Sequence, residues 1–370
     1  MLDFYDRFPD PIEIASIEVL AFEGRHFLRT TSTEGWVGIA ITNQWLRRLL
    51  SVVQGVAIPF FLGKDARDLE RLVDEVYTTP SNYKLAGLAL WSSVGYVELS
   101  IWDMLGRAAG VPVCDLVGPV LRREIPVYLS SGNRDTTPEQ EVALLARRLE
   151  ESGASAIKVK IGGRMSRNAD AYHGRSEGLV SLARRELGDG TAIYVDANGS
   201  YDAAHAIEVG HMLEAHGVGF YEEPCPFDEY DQTQAVADAL EIPVAGGEQD
   251  TSAARFRWMI ERRGVDLVQP DVVYNGGLIR TLRVARMAQT AGMPITPHCP
   301  KADPNSAYML HFAAVTPNLG PHQEYHYRGA RPVSWYRPTF DARDGALPLP
   351  DGPGWGVEYD PAIWDAAERL

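Results

Sequence analysis

Apolar and polar positions follow two rhythms along the chain. In the first third, residues 12–22, 26–31 and 36–42 are short runs rich in β-branched and aromatic side chains. Turn-rich Glu23-Gly24-Arg25 and residues 32–35 separate them, which predicts an antiparallel meander. Helical spacing follows. Residues 66–77 place Leu69, Leu72, Val73 and Val76 on one face. Residues 85–109 read as a long apolar helix stopped at Gly110, with Pro112 just beyond. From Ile125 the period changes. Short apolar strands are expected at 125–131, 156–162, 192–198, 220–224, 243–248, 266–271, 294–298 and 322–325. Helical stretches fall between them at 139–151, 178–187, 203–216, 232–240, 252–262 and 277–291, with a partly helical last connection at 305–315. Eight strands with intervening helices predict a (β/α) barrel rather than an open sheet. No low-complexity linker separates the two parts, so close packing is expected. The tail after Tyr327, rich in Pro, Gly and Trp, is expected to wrap back over the structure.

Composition narrows the partners. The 370 residues are 45% hydrophobic and 23% charged, the balance of a folded protein rather than a disordered one. The formal net charge of −15 argues against nucleic acid and anionic membrane as partners. An anionic small molecule stays open, because a site sets its own local field. No apolar stretch of about 18 residues exists to span a membrane. Cys114, Cys225 and Cys299 form no CxxC pattern, and an odd number fits poorly with a disulfide framework. A reducing cytoplasm is expected, and the first residues show no signal-peptide pattern.

Functional groups of a βα barrel stand at the C-terminal ends of its strands. The last residues of the expected strands are Lys158 and Lys160, Asp196 and Asn198, Glu222, Glu248, Asp271, His298 and Glu324. Asp196 lies 36 positions beyond Lys160, and each later step is between 23 and 27 positions, about one βα unit. One such residue is unremarkable. A whole row of ionisable ones is hard to explain by solvation alone, because a charge at a barrel end must be solvated, paired or metal-bound. Asp196, Glu222 and Glu248 from consecutive strands would repel unless a cation joined them, and hard oxygen ligands suit Mg²⁺ better than Zn²⁺. Three salt-bridged surface acids are the plainer alternative. Lys158 and Lys160 share one strand face. Two ammonium groups side by side near a dication would depress the pKa of one and free an amine as a base. Asp271 can orient His298 through one ring nitrogen. Glu324 is expected beside the substrate, either protonated as a donor or ionised as a charge partner.

These residues, read together, resemble a known family. Lys158-Val-Lys160, Val195-Asp196-Ala-Asn198, Glu222-Glu223-Pro224, Gly247-Glu248-Gln249, Gln269-Pro270-Asp271 followed by Gly276-Gly277, Pro297-His298 and Gln323-Glu324 resemble the enolase superfamily, in its mandelate racemase subgroup. The meander and helices are similar to that family's cap, and 98–118 to its cap-to-barrel junction. The resemblance implies an α+β capping domain plus a (β/α)7β barrel, divided as 1–122 cap, 123–326 barrel and 327–370 returning to the cap. It implies Asp196, Glu222 and Glu248 as Mg²⁺ ligands, Lys160 as a base tuned by Lys158, and His298 with Asp271 as the dyad on the other face. It implies that Glu324 and Asn198 contact a bound carboxylate and the enediolate formed when its α-proton leaves. Members of the muconate-lactonising type carry a Lys at the end of strand six, where this chain has Asp271. The stretch Cys299-Pro-Lys-Ala-Asp-Pro-Asn305 departs from the small-residue run expected there and is expected to reshape the pocket wall.

Within the subgroup the intermediate is reprotonated by a racemase or epimerase, or loses a β-hydroxyl in a dehydratase. Resembling members are mostly acid-sugar dehydratases, so an aldonate or aldarate substrate is expected. Dehydration by Lys160 and His298 on opposite faces, or by His298 alone, both remain open. The polar turn Phe22-Glu23-Gly24-Arg25-His26 is expected over the substrate, with Arg25 gripping a distal carboxylate and His26 beside it. A solvated turn arginine is the equal alternative. A small-molecule carboxylate is the expected partner and a homo-oligomer the expected assembly. A Schiff-base aldolase would need a strand-end Lys but not three carboxylates. A zinc hydrolase reading of His322-Gln-Glu-Tyr-His326 lacks the helical H-E-x-x-H spacing. A barrel that only binds a carboxylate leaves the acid/base positions unexplained.

Overall fold

The alternation in the first third folds into β1 (Ile14–Phe22), β2 (Arg25–Ser32) and β3 (Val37–Ile41), paired antiparallel. Phe22 faces Arg25, leaving only Glu23 and Gly24 in the turn. Both have left-handed φ, 46° and 75°, as a two-residue hairpin turn demands. The chain is seen in a computed structural model that describes residues 4–327 and 333–370. Residues 1–3, at the start of the N-terminal segment, and 328–332, at the head of the tail, lie outside the described residues. The long helix is Leu88–Ala109, ending at left-handed Gly110. It packs under the meander so tightly that a Cβ on Gly38 would sit 2.1 Å from the Ser100 carbonyl oxygen. Residues 46–61, which carried no expectation, are helical: Leu46–Val52, a wide π turn at Val53–Ala57, then Ile58–Phe61.

The second rhythm gives β4 (Glu124–Ser130), β5 (Ala156–Lys160), β6 (Ala192–Asp196), β7 (Phe220–Glu222), β8 (Val244–Gly246), β9 (Leu267–Val268) and β10 (Gln323–Tyr325). They form one parallel sheet in the order β10-β4-β5-β6-β7-β8-β9. Helices Pro138–Ser152, Arg175–Leu187, Ala203–Ala215, Tyr230–Ala239, Ala253–Glu261, Leu278–Thr290 and Ser306–Val315 stand close to the expected stretches. The expected strand at 294–298 is instead a pair of single bridges at Ile295, to Val268 and to Leu319, and one between His298 and Asp271. Pro294 and Pro297 explain this, since neither has an N–H to give to a ladder. These bridges carry the pairing from β9 round towards β10. The tail supplies β11 (Tyr336–Arg337), β12 (Ala346–Pro348), β13 (Glu358–Tyr359) and β14 (Glu368–Arg369). β12 pairs with β4, and β14 adds a fourth strand to the meander beside β1.

Two features position the site. An apolar layer of Tyr128, Ala156, Tyr194, Phe220, Ala245 and Leu267 closes the barrel interior near the strand starts, with Tyr194 and Phe220 stacked at 4.1 Å. The strand-end side chains stand above it. The cap helix is tied to the barrel by Glu98, whose buried carboxylate accepts from the N–H groups of Leu278 (3.0 Å) and Ile279 (2.9 Å) and from the Trp102 indole (2.8 Å). An anion at a helix N-terminus is favourable. Gly277 makes room for it: its φ is 104°, and a Cβ there would lie 2.2 Å from Glu98 Oε2.

Candidate active site

Side-chain alternation on β5 turns Lys158 and Lys160 inward together. Parallel register sets Lys160 beside Asp196 and Asp196 beside Glu222. Lys158 Nζ lies 2.7 Å from both oxygens of Glu222 and 2.9 Å from Glu324 Oε1. Lys160 Nζ donates to Asp196 Oδ2. Each lysine therefore has its own carboxylate, and ammonium repulsion does not dominate the pair. Burial opposes the charge on Lys158, but Glu222 and Glu324 outweigh it and hold the amine well above the ordinary lysine value. Lys158 is a fixed cation.

The acids are crowded. Asp196 accepts from the Asn198 backbone N–H (2.7 Å) and from Asn198 Nδ2 (3.0 Å). Glu222 also accepts from Gln269 Nε2 at 2.8 Å. Its neighbour Glu223 leaves the strand with a left-handed φ of 43° and is buried, 3.3 Å from Asn198 Nδ2. Burial pushes Glu222 up to about 8, with Asp196 adding to it against the pull of Lys158. Burial, Glu248, Asp196 and Glu222 push Glu223 well above the carboxylate range. Glu223 Oε1 is buried with no hydrogen-bond partner. Among the described residues no three of these side chains already converge as a cage, because Glu222 is drawn onto Lys158 and Gln269. The donor set still fits a hard divalent cation: it is all oxygen, short of positive charge, and holds an orphaned carboxylate oxygen.

Across the mouth, His298 Nδ1 lies 2.8 Å from Asp271 Oδ2. Asp271 Oδ1 is itself pinned by the N–H groups of Val273 (2.8 Å) and Tyr274 (2.9 Å). His298 Nε2 lies 3.4 Å from Glu248 and 3.9 Å from Glu324. Burial opposes the imidazolium, but Glu248, Asp271 and Glu324 push His298 up to about 10. Glu324 accepts from Ser130 Oγ (2.8 Å) and the Cys299 N–H (2.9 Å). Burial raises its pKa, and Lys158, His298 and Lys160 more than reverse that. Of the two readings of Glu324, the ionised charge partner is the one its neighbours support.

The remaining expected residues fall farther out. The Arg25 guanidinium lies 4.9 Å over the Trp335 ring, in a cavity shared with Lys301 and Asp303. His26 is buried in the cap sheet opposite Ala21 and is not among that cavity's lining residues. His322 turns to the Tyr194 hydroxyl, 2.8 Å away beside the apolar layer. Sequence reasoning missed Asn43 and Gln44, cap residues that line a small cavity with Asp271, His298 and Lys301. Trp45 adds a 2.8 Å bond from its indole to the Tyr274 hydroxyl. A polar pair directly after a cap strand was the available signal. It also missed Glu223, for which the doubled acid before Pro224 was the signal.

The chain matches the Enolase C-terminal domain-like family over residues 140–363. It is 30% identical over 319 residues to an arabinonate dehydratase of Saccharolobus solfataricus, covering 85% of this chain and 82% of that protein. Its fold matches a candidate racemase from Roseobacter denitrificans with a TM-score of 0.92 at 36% identity, covering 97% and 99% of the two chains. A mandelate racemase/muconate lactonizing protein from Paracoccus denitrificans, solved in complex with magnesium, matches with a TM-score of 0.89 at 27% identity over 97% and 99%. The curled parallel barrel sheet, the antiparallel cap and these matches agree: the chain belongs to the enolase superfamily, in its mandelate racemase group.

Proposed function

We propose that the protein is a Mg²⁺-dependent dehydratase of an acid sugar, an aldonate or aldarate. The observation that carries this reading is the pairing of two acid/base groups around one carboxylate cluster. Lys160 sits on Asp196, and His298 is aimed by Asp271, with Glu324 placed between His298 and the lysines. The arabinonate dehydratase and an L-talarate/galactarate dehydratase of Salmonella typhimurium, 28% identical, support the substrate class. Asp196, Glu222 and Glu248 would hold the cation, with Glu223 beside them, and when bound it supplies a Lewis acid for the substrate carboxylate. Lys160, in its free-amine form, takes the proton from C2. Lys158, which stays charged, and Asn198 Nδ2 face the carboxylate end and stabilise the charge that builds there. His298, protonated and fixed by Asp271, gives its proton to the 3-hydroxyl as the C3–O bond breaks and water leaves. The enol that remains tautomerises to a 2-keto-3-deoxy acid. A cytoplasmic setting accords with three free, buried cysteines, and a homo-oligomeric assembly belongs to the same reading.

The Roseobacter candidate racemase favours a second reading, in which His298 returns the proton to C2 instead. Incubation with Mg²⁺ and a panel of aldonates and aldarates separates the two. The dehydratase reading expects a 2-keto product from at least one. Inversion at C2 with no 2-keto product would establish the racemase.

A further inference from the structure

Asn198 stands just past the end of β6 with a left-handed φ of 44°, a backbone that asparagine tolerates better than most residues. Its buried amide is gripped at both ends. The Nδ2 end faces acids, Asp196 Oδ2 at 3.0 Å and Glu223 Oε2 at 3.3 Å. The Oδ1 end faces bases, Arg134 Nη2 at 2.9 Å and Arg164 Nη2 at 3.2 Å. The terminal torsion of a free asparagine is broad and two-fold, so nothing intrinsic decides which end of the amide faces the site. Its neighbours decide it here. A guanidinium has donors alone and an ionised carboxylate such as Asp196 has acceptors alone, so one orientation satisfies both sides. An aspartate at this position would pair with the arginines but could donate nothing to Asp196.

The two arginines are themselves placed by backbone. Arg134, just after β4, is braced on the carbonyls of Gly162 (3.1 Å) and Ile161 (3.3 Å). Arg164 lies in the loop after β5, which is zipped to the residues beyond β6. Met165 N–H bonds the Asn198 carbonyl at 2.9 Å, Arg164 N–H bonds Ser200 Oγ at 3.0 Å, and Asn168 N–H bonds the Ser200 carbonyl at 2.8 Å. Arg164 and Met165 take left-handed φ to follow this path, 58° and 51°, a strained backbone for side chains of their size. Buried Arg175 ties the segments together, donating to the carbonyls of Lys160 (2.9 Å), Thr136 (3.0 Å) and Asn133 (3.1 Å). The side-chain acceptor that Arg134 and Arg164 share is Asn198 Oδ1. Two cations on an amide oxygen polarise the amide and strengthen its N–H donors.

We propose that Arg134 and Arg164 are positioning residues for the reaction: acting through Asn198, they hold and polarise its amide so that the N–H side is presented to the charge that builds on the reacting carboxylate. This rests on the role given to Asn198 above. The test is a double-mutant cycle on the Mg²⁺-loaded protein. Arg164→Gln is its main variant, because Arg164 is exposed, whereas Arg134 also braces two carbonyls. Arg164→Gln should lower kcat about 10- to 100-fold, the usual cost of losing a group that orients a reacting one. KM should change little, because the interaction serves the transition state. In an Asn198→Ala background the same change should cost nothing further. An unchanged kcat, a loss confined to KM, or an equal loss with and without Asn198 overturns the proposal, since an arginine that merely supports the fold does not need Asn198. The cycle reads 2-keto product, or solvent-deuterium exchange at C2 of a 2-hydroxy acid where no product forms. A second arm needs no turnover: NMR of protein labelled with ¹⁵N-asparagine, in which the Asn198 side-chain signals are those that Asn198→Ala removes. In Arg164→Gln they should shift and exchange faster with solvent. Shifted signals support the grip on the amide even where no acid sugar reacts and the dehydratase reading falls. Signals that stay in place overturn it even where dehydration is observed.

Discussion

Replacing Glu98 by alanine strands three buried donors at once: the N–H groups of Leu278 and Ile279 and the Trp102 indole. Each stranded donor costs roughly 1–3 kcal/mol. The contributions overlap, since water entering the gap satisfies part of the loss. A destabilisation of about 4 kcal/mol is expected at pH 5. Burial pushes the Glu98 carboxyl from an ordinary 4.5 up to about 7, and the two backbone donors only partly oppose it. Between these values the folded protein keeps a proton that the unfolded chain releases. The contribution of Glu98 is therefore complete below pH 4.5 and is lost as pH rises through 7, by about 3 kcal/mol. Urea unfolding followed by tryptophan fluorescence, at pH 5 and pH 8, measures both. The gap between wild type and Glu98→Ala should be widest at pH 5 and narrow at pH 8. A gap below about 1 kcal/mol at pH 5, or one that widens with pH, would refute the reasoning.

Gly277→Ala forces a Cβ against the Glu98 carboxylate at a left-handed φ, so it should cost about 3 kcal/mol in the same assay. Combined with Glu98→Ala its cost should shrink, because the two changes share one contact. Lys160→Ala should lower kcat about 1000-fold and abolish solvent-deuterium exchange at C2, and surviving exchange would remove Lys160 from the role of base. Asp271→Asn breaks the 2.8 Å bond that aims His298 and should lower kcat about 100-fold with little change in KM. Activity should vanish in EDTA and return with Mg²⁺, and turnover at full rate in EDTA would count against the cation.

The row of strand-end residues was legible because a βα unit has a nearly constant length and because charged side chains are rare in buried strands. Strand ends were not. Glu223 turns out of the ladder with a left-handed backbone, and two prolines interrupt the segment at 294–298. The helical stretch at 46–61 was hidden by Val52, Val53, Gly55, Val56 and Pro59, poor helix formers that tertiary packing overrides. Which carboxylate meets Lys158 depends on contacts across the barrel, and spacing along one strand carries no information about that. Asn43 and Gln44 reach the dyad's cavity only because the cap docks on the barrel, a relation between distant parts of the chain.

The pairing of β14 with β1, Leu20 facing Arg369, has a consequence for how the molecule is made. The meander's fourth strand is synthesised only after the entire barrel. Until then β1 presents a bare strand edge, the kind that recruits other chains. A fragment ending before β12 would keep that edge permanently exposed and should aggregate. Completion of the cap is thus a long-range step that waits until the barrel has been made, and contacts so distant in sequence form slowly.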